Sequence, residues 1–152
     1  MCHMAGGESL TTQRLMSTLG GRRTLGSAPE NLDELRHHVR DGLPYGALAA
    51  LSSAYDLDLR TLAAVLRIPP RTLARRRHER RLHPDESDRL FRVARIAAFA
   101  EACLGGRDKA ARWLKRPNRA LGNEIPLDHL DTDLGARQVE EVLGRISHGV
   151  YS

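Results

Sequence analysis

Two consecutive prolines, Pro69 and Pro70, sit between two helical patterns and leave the chain few ways to fold around them. Before them, Leu59, Leu62, Ala63 and Leu66 recur at i, i+3, i+4 and i+7, the spacing of one helix face, and Asp58 is placed as the N-cap. The residue before a proline avoids the α region, so this helix stops around Arg67-Ile68. Proline suits the first position of a helix, where its missing N–H has no partner to lose, so Pro70 opens a new helix reaching about His78. Helix, tight turn, helix is the expected order.

On the second of these helices Leu73 faces inward, and Arg71, Thr72, Arg75, Arg76 and Arg77 cover most of the remaining circumference. Residues 60–95 hold 11 arginines against 4 acidic side chains, a local charge of +7 in a chain whose net charge is +5. The flanking segments, 1–59 and 96–152, carry −2 and 0. A concentrated basic block is what a polyanion-binding face requires, because each phosphate neutralised releases condensed counterions. In a helix-turn-helix the second helix lies in the major groove, where arginine binds guanine O6 and N7 bidentately. Arg67, Arg71, Thr72, Arg75, Arg76 and Arg77 are therefore the candidate DNA-binding residues. A three-helix bundle without a ligand has the same periodicity; the charge favours DNA.

The rest of the chain reads as all-α: aromatic residues make up 4%, strand-type alternation is scarce, and 41% hydrophobic content is enough for a core. Residues 1–30, with Gly6-Gly7 and Gly20-Gly21 and no sustained period, read as a flexible leader, within which Met16 is an alternative start. A helix-turn-helix region is expected over 31–83. It opens with a short helix capped by Asn31, with Leu32, Leu35 and Val39 on one face and Gly42 at its end, followed by a helix from Leu43 to near Tyr55. A second region, 84–152, starts with a long helix from Pro84 to Leu104, whose Asp85 and Glu86 complement the N-terminal dipole and which Gly105-Gly106 ends. Its segment Ile96-Ala97-Ala98-Phe99-Ala100 is apolar on nearly all sides, as a central core helix or a dimer interface would be.

After Gly106 the spaced elements are Trp113, Pro117-Asn118, Ala120-Leu121-Gly122, Pro126-Leu127-Asp128 and Thr132 with Gly135 three residues on. Val139, Leu143 and His148-Gly149-Val150-Tyr151 complete the set. Together they cover about 40 residues, and the region that holds them, roughly 84–152, resembles the toxin-binding domain of the Xre/MbcA/ParS antitoxin family. His129 departs from the pattern, since the family more often has an apolar residue there. The resemblance implies a helical, dimeric antitoxin that forms a higher-order complex with a toxin carrying a RES or related ADP-ribosyltransferase-like, NAD-using domain. It further implies that the C-terminal module blocks the toxin's nucleotide pocket while the helix-turn-helix binds the antitoxin's own promoter. Toxin contact is carried by it onto Trp113, Asn118, Leu121, Gly122, Arg145, Ile146, His148, Gly149 and Tyr151. The residues themselves suggest structural roles too: Trp113 as a core anchor, Asn118 as a cap, and Gly122, Gly135 and Gly149 at positive-φ or close-approach positions.

Catalysis is not expected. His78-Glu79 lacks the second histidine of a zinc-protease motif, His37 and His38 point to different helix faces, and no phosphate loop or nucleophile elbow occurs. No metal or other cofactor is expected. Cys2 and Cys103 suggest neither a disulfide framework nor a metal cluster, and no apolar run reaches membrane-spanning length, so the expected location is the cytoplasm. The alternative to an antitoxin is a stand-alone transcription regulator without a toxin; a helix-turn-helix retained only for assembly is a third reading.

Overall fold

The computed structural model describes residues 7–26 and 31–149, and these are helical almost throughout, with two isolated β-bridges. The helices are α1 (Gly7–Thr18), α2 (Gly21–Leu25), α3 (Leu32–Asp41), α4 (Tyr45–Ala54), α5 (Leu59–Val65), α6 (Pro70–Glu79), α7 (Pro84–Leu104), α8 (Arg107–Lys115) and α9 (Asp133–Ser147). Two 3-10 helices, Arg119–Leu121 and Pro126–Asp131, lie between α8 and α9. The caps explain several boundaries. Asn31 accepts a hydrogen bond from Glu34 N (2.9 Å), Asp58 from Thr61 N (3.2 Å) and Thr132 from Gly135 N (2.9 Å), each satisfying an amide that the first helical turn leaves without a partner.

The axis of the fold is α7. Most of its all-round apolar stretch is covered within the chain: α1, α3, α8 and α9 all pack on it, and Val93, Ala94, Ile96, Ala97, Ala98 and Ala100 are buried. Alanines let the neighbouring helices approach closely, while Val93 and Ile96 fill the space between them. Within the chain this segment serves as a central core helix, with Phe99 left half-buried.

The expectation of a flexible leader is corrected for the described part of 1–30. Helices α1 and α2 form there, and Leu15, Leu19 and Leu25 belong to the core. Thr18 Oγ1 lies 3.4 Å from the buried Tyr55 hydroxyl, and Arg14 reaches Glu101 on α7 at 3.6 Å. The stripe Leu15-Leu19 is too short to announce itself. What orders it is the apolar face of α7, a tertiary partner that local pattern does not reveal. On α3 the predicted face is only partly used: Leu35 is buried, Val39 half-buried, and Leu32 is half-exposed.

Two glycines hold close approaches. At Gly42, with φ +96°, a methyl group would meet the carbonyl oxygen of Leu82, so the turn after α3 and the one after α6 pass backbone against backbone. There Leu82 N donates to Leu43 O (2.8 Å) and Tyr45 N to Arg80 O (3.1 Å). Gly135 has an ordinary φ, but a methyl group on it would overlap the carbonyl oxygen of His129, which ties the start of α9 to the preceding 3-10 helix. Among the described residues no helix is long and apolar enough to cross a membrane.

Candidate functional site

Helices α5 and α6 meet at Pro69-Pro70, with Pro70 in the first turn of α6. Arg67, in the left-handed region at φ +57°, makes the turn, and Arg89 on α7 donates from Nε to Leu66 O (2.7 Å), capping the end of α5. Around this turn Arg67, Arg71, Arg75 and Arg77 are exposed, and Thr72 is half-buried. None of these four arginines makes an ion pair with a described residue, so the face they form carries uncompensated positive charge. Arg60 and Arg80, which the sequence reading did not single out, are exposed beside them. Between α5 and α6 runs a groove of about 780 Å³ with Leu59, Ala63, Ile68 and Leu73 in its walls and Arg60, Arg67 and Arg77 among its lining residues.

Arg76 is the correction to the expected DNA-binding set. Only 5% of it is exposed, because it lies three residues after the inward-facing Leu73 and shares that side of α6. Its Nε donates to Glu86 Oε1 (2.7 Å), Nη1 to Glu79 Oε1 (3.2 Å) and Nη2 to His83 Nδ1 (3.0 Å). Glu86 accepts in addition from His83 N (2.9 Å) at the start of α7. The hydrogen bond to Glu86, reinforced by its charge, raises the Arg76 pKa further above its ordinary value, so the guanidinium stays charged inside the protein. A buried ion pair thus joins α6 to α7, and the backbone bonds of Leu82 and Tyr45 hold the chain just after α6. The spacing from Leu73 was the signal in the sequence that Arg76 turns inward.

Several other arginines of the basic block are also occupied internally. Arg81 donates to Asp41 O (3.2 Å), Arg89 caps α5 as above, and Arg95 pairs with Glu140 on α9. The arginines left facing solvent are concentrated on α6 and its two flanking turns.

In the C-terminal module the residues expected to touch a toxin are spread over several environments. Trp113 is half-buried rather than fully enclosed, and it lines an open groove of about 350 Å³ with Leu104, Pro117 and Asn118 among its neighbours. Asn118 is a cap: its Oδ1 accepts from Ala120 N (2.9 Å). Leu121, at 7% exposure, is a core residue, which corrects its assignment as a contact; the 3-10 helix turns it inward. Gly122 and Gly149 sit exposed at φ +67° and +68°. On α9 Val139, Val142 and Leu143 are buried, Ile146 is half-buried against them, and Arg145 faces solvent. His148 is exposed and bonded through Nδ1 to Gly144 O (2.7 Å); Tyr151 lies outside the described residues. The unusual His129 is mostly buried, its Nδ1 making no hydrogen bond and standing 3.7 Å from Glu124 Oε2.

These features define a helical protein in which an arginine-faced helix-turn-helix and a second helical module share the long helix α7. Residues 34–95 match the antitoxin Xre-like helix-turn-helix domain, and residues 99–149 match the antitoxin Xre/MbcA/ParS C-terminal toxin-binding domain. The junction between the two matches falls inside α7. Three curated relatives are each named antitoxin Xre. The one from Photorhabdus laumondii is 33% identical over 132 residues, 86% of this chain and 89% of its own length. That from Yersinia enterocolitica is 41% identical over 87 residues and that from Pseudomonas putida 47% over 83, about half of this chain in each case. Those two alignments span 59% and 52% of the relatives' lengths. The chain belongs to the Xre/MbcA/ParS antitoxin family.

Proposed function

We propose that this chain is the antitoxin of a two-protein toxin–antitoxin system, that it binds its own promoter through α6, and that its C-terminal module neutralises the toxin. The toxin on this reading is a RES or related NAD-using, ADP-ribosyltransferase-like protein, and neutralisation consists of covering its nucleotide pocket. The observation that carries the proposal is the pairing in one chain of a match to a toxin-binding domain with a helix-turn-helix whose outer arginines make no ion pair among the described residues.

For DNA, Arg67, Arg71, Thr72, Arg75 and Arg77 divide between base edges and phosphates, with Arg76 holding the helix that presents them. For the toxin, the contact residues are Trp113, Asn118, Gly122, Arg145, Ile146 and the tail His148, Gly149 and Tyr151. Active complexes contain a dimer of the chain, since paired recognition helices read paired half-sites one helical turn apart. The protein acts without a cofactor and catalyses no reaction.

The proposal is tested by co-expressing the chain with the product of the neighbouring gene, purifying by a tag on one partner, and measuring retention of the upstream DNA by the purified chain. A stable complex together with specific retention supports it. Retention without any complex would move the chain to the stand-alone regulator reading.

A further inference from the structure

We infer that the outer face of α8 is a docking surface for an acidic, apolar-tipped segment of the toxin; this rests on the antitoxin reading above. The C-terminal half is neutral in sum but strongly segregated. Residues 107–119 hold six basic side chains and one acidic, whereas 120–152 hold two basic and six acidic. Two of the six are engaged within the chain. Arg107 donates to Glu101 (2.8 Å) and stacks over the Tyr55 ring at 5.6 Å, and Lys115 donates to Asp56 O (2.9 Å). Lys109, Arg112 and Arg116 are exposed, make no ion pair with a described residue, and line one groove.

The wall of that groove is Trp113, with Leu104 and Pro117 beside it. Helix α8 turns Ala110 and Leu114 to the core and so leaves the indole at the surface, flanked by like charges one turn apart that repel each other. A ligand that supplies carboxylates to the three cations and an apolar side chain to the indole relieves both costs. Tryptophan and arginine are the residue types that dominate binding energy at protein interfaces. A nucleic acid is the less suited occupant: the groove is short and apolar-walled, and the long basic track that a phosphate backbone follows is already provided around α6. The whole groove lies within residues 99–149, matched to a toxin-binding domain.

The test compares the full-length chain with the double variant Arg112→Glu/Arg116→Glu, and with Arg112→Ala/Arg116→Ala as the milder form. Affinity for the purified product of the neighbouring gene is measured at low and high salt, beside melting temperature and retention of upstream DNA. The inference predicts that charge reversal weakens toxin binding about 100-fold and neutralisation about tenfold, with the wild-type affinity falling as salt rises. DNA retention and melting temperature stay unchanged in the Ala variant. Unchanged toxin affinity in both variants overturns the docking face while leaving the antitoxin reading intact. Loss of DNA retention with toxin binding preserved overturns it in favour of a nucleic-acid surface. Failure of the unaltered chain to bind that protein at all refutes the antitoxin reading itself.

Discussion

Replacing Glu86 with Ala separates the arginine that anchors α6 to the interior from those that reach out of it into solvent. In the folded chain the Arg76 and Glu86 side chains retain only 6% and 7% of their exposure, and Nε and Oε1 are 2.7 Å apart. Removing one member of such a pair leaves a buried charge uncompensated, which costs about 3–5 kcal/mol. Glu79, half-exposed at 3.2 Å, remains as a partial partner, so the expected loss is at the low end, about 3 kcal/mol. For a chain of this size that lowers the melting temperature by roughly 6–12 °C. The Arg76→Met/Glu86→Leu double variant, apolar on both sides, recovers most of it. DNA retention gives the second axis. Arg75→Ala removes a solvent-facing charge: stability holds, and the log–log salt slope of DNA affinity falls by about 0.9. Arg76→Ala lowers stability and affinity but leaves the salt slope as it was, because no phosphate contact is lost. An Arg76→Ala chain that melts like the wild type and shows the same loss of slope as Arg75→Ala would refute the assignment of Arg76 to the interior.

Leu15→Ala, removing a side chain with 1% exposure between α1 and the core, is expected to cost about 3 kcal/mol in denaturant unfolding; an unchanged midpoint would mean the N-terminal helices do not stay docked. Gly135→Ala forces a methyl group onto the His129 carbonyl and is expected to destabilise by about 2 kcal/mol, whereas Gly144→Ala, where nothing lies within 4 Å, is expected to be neutral or slightly stabilising. Burial pushes the Tyr55 phenol above its ordinary value, so the folded chain holds that proton more tightly than the unfolded one. The corresponding stability is complete below about pH 10 and is lost as pH rises through the folded value. Tyr55→Phe should flatten this alkaline decline in thermal melts.

The parts of the fold that could be read from the sequence are those fixed by local chemistry. Asp58, Asn31 and Pro70 act within one helical turn of themselves, and each marks a boundary where the structure has one. Leu48, Leu51 and Tyr55, spaced at i, i+3 and i+7 in the sequence, lie on one face that is fully buried. What stayed hidden depends on partners distant in sequence. Leu15 and Leu19 look like isolated leucines in a polar leader until α7 is beside them, and the spacing of Arg76 from Leu73 marks its inward side without revealing Glu86 and His83 as its partners. Trp113 was expected to anchor the C-terminal core, but Ala110 and Leu114 take that position and the indole is left at the rim of a groove. Charge per segment located the arginine-rich face, yet could not separate Arg89 and Arg95, spent on a helix end and on Glu140, from Arg71 and Arg75, which face solvent.

The proposed function puts two separable activities on one chain, on α6 and on the C-terminal module. It is tested most directly by a growth assay in cells expressing the neighbouring gene product together with the wild-type chain, the Arg71→Ala/Arg75→Ala/Arg77→Ala variant, or a chain lacking residues 148–152. The wild type and the arginine variant are both expected to restore growth, the arginine variant alone to fail to repress a reporter under the upstream promoter, and the shortened chain to repress without restoring growth. A neighbouring gene product that is harmless in the absence of the chain, or a shortened chain that protects as well as the wild type, would contradict it.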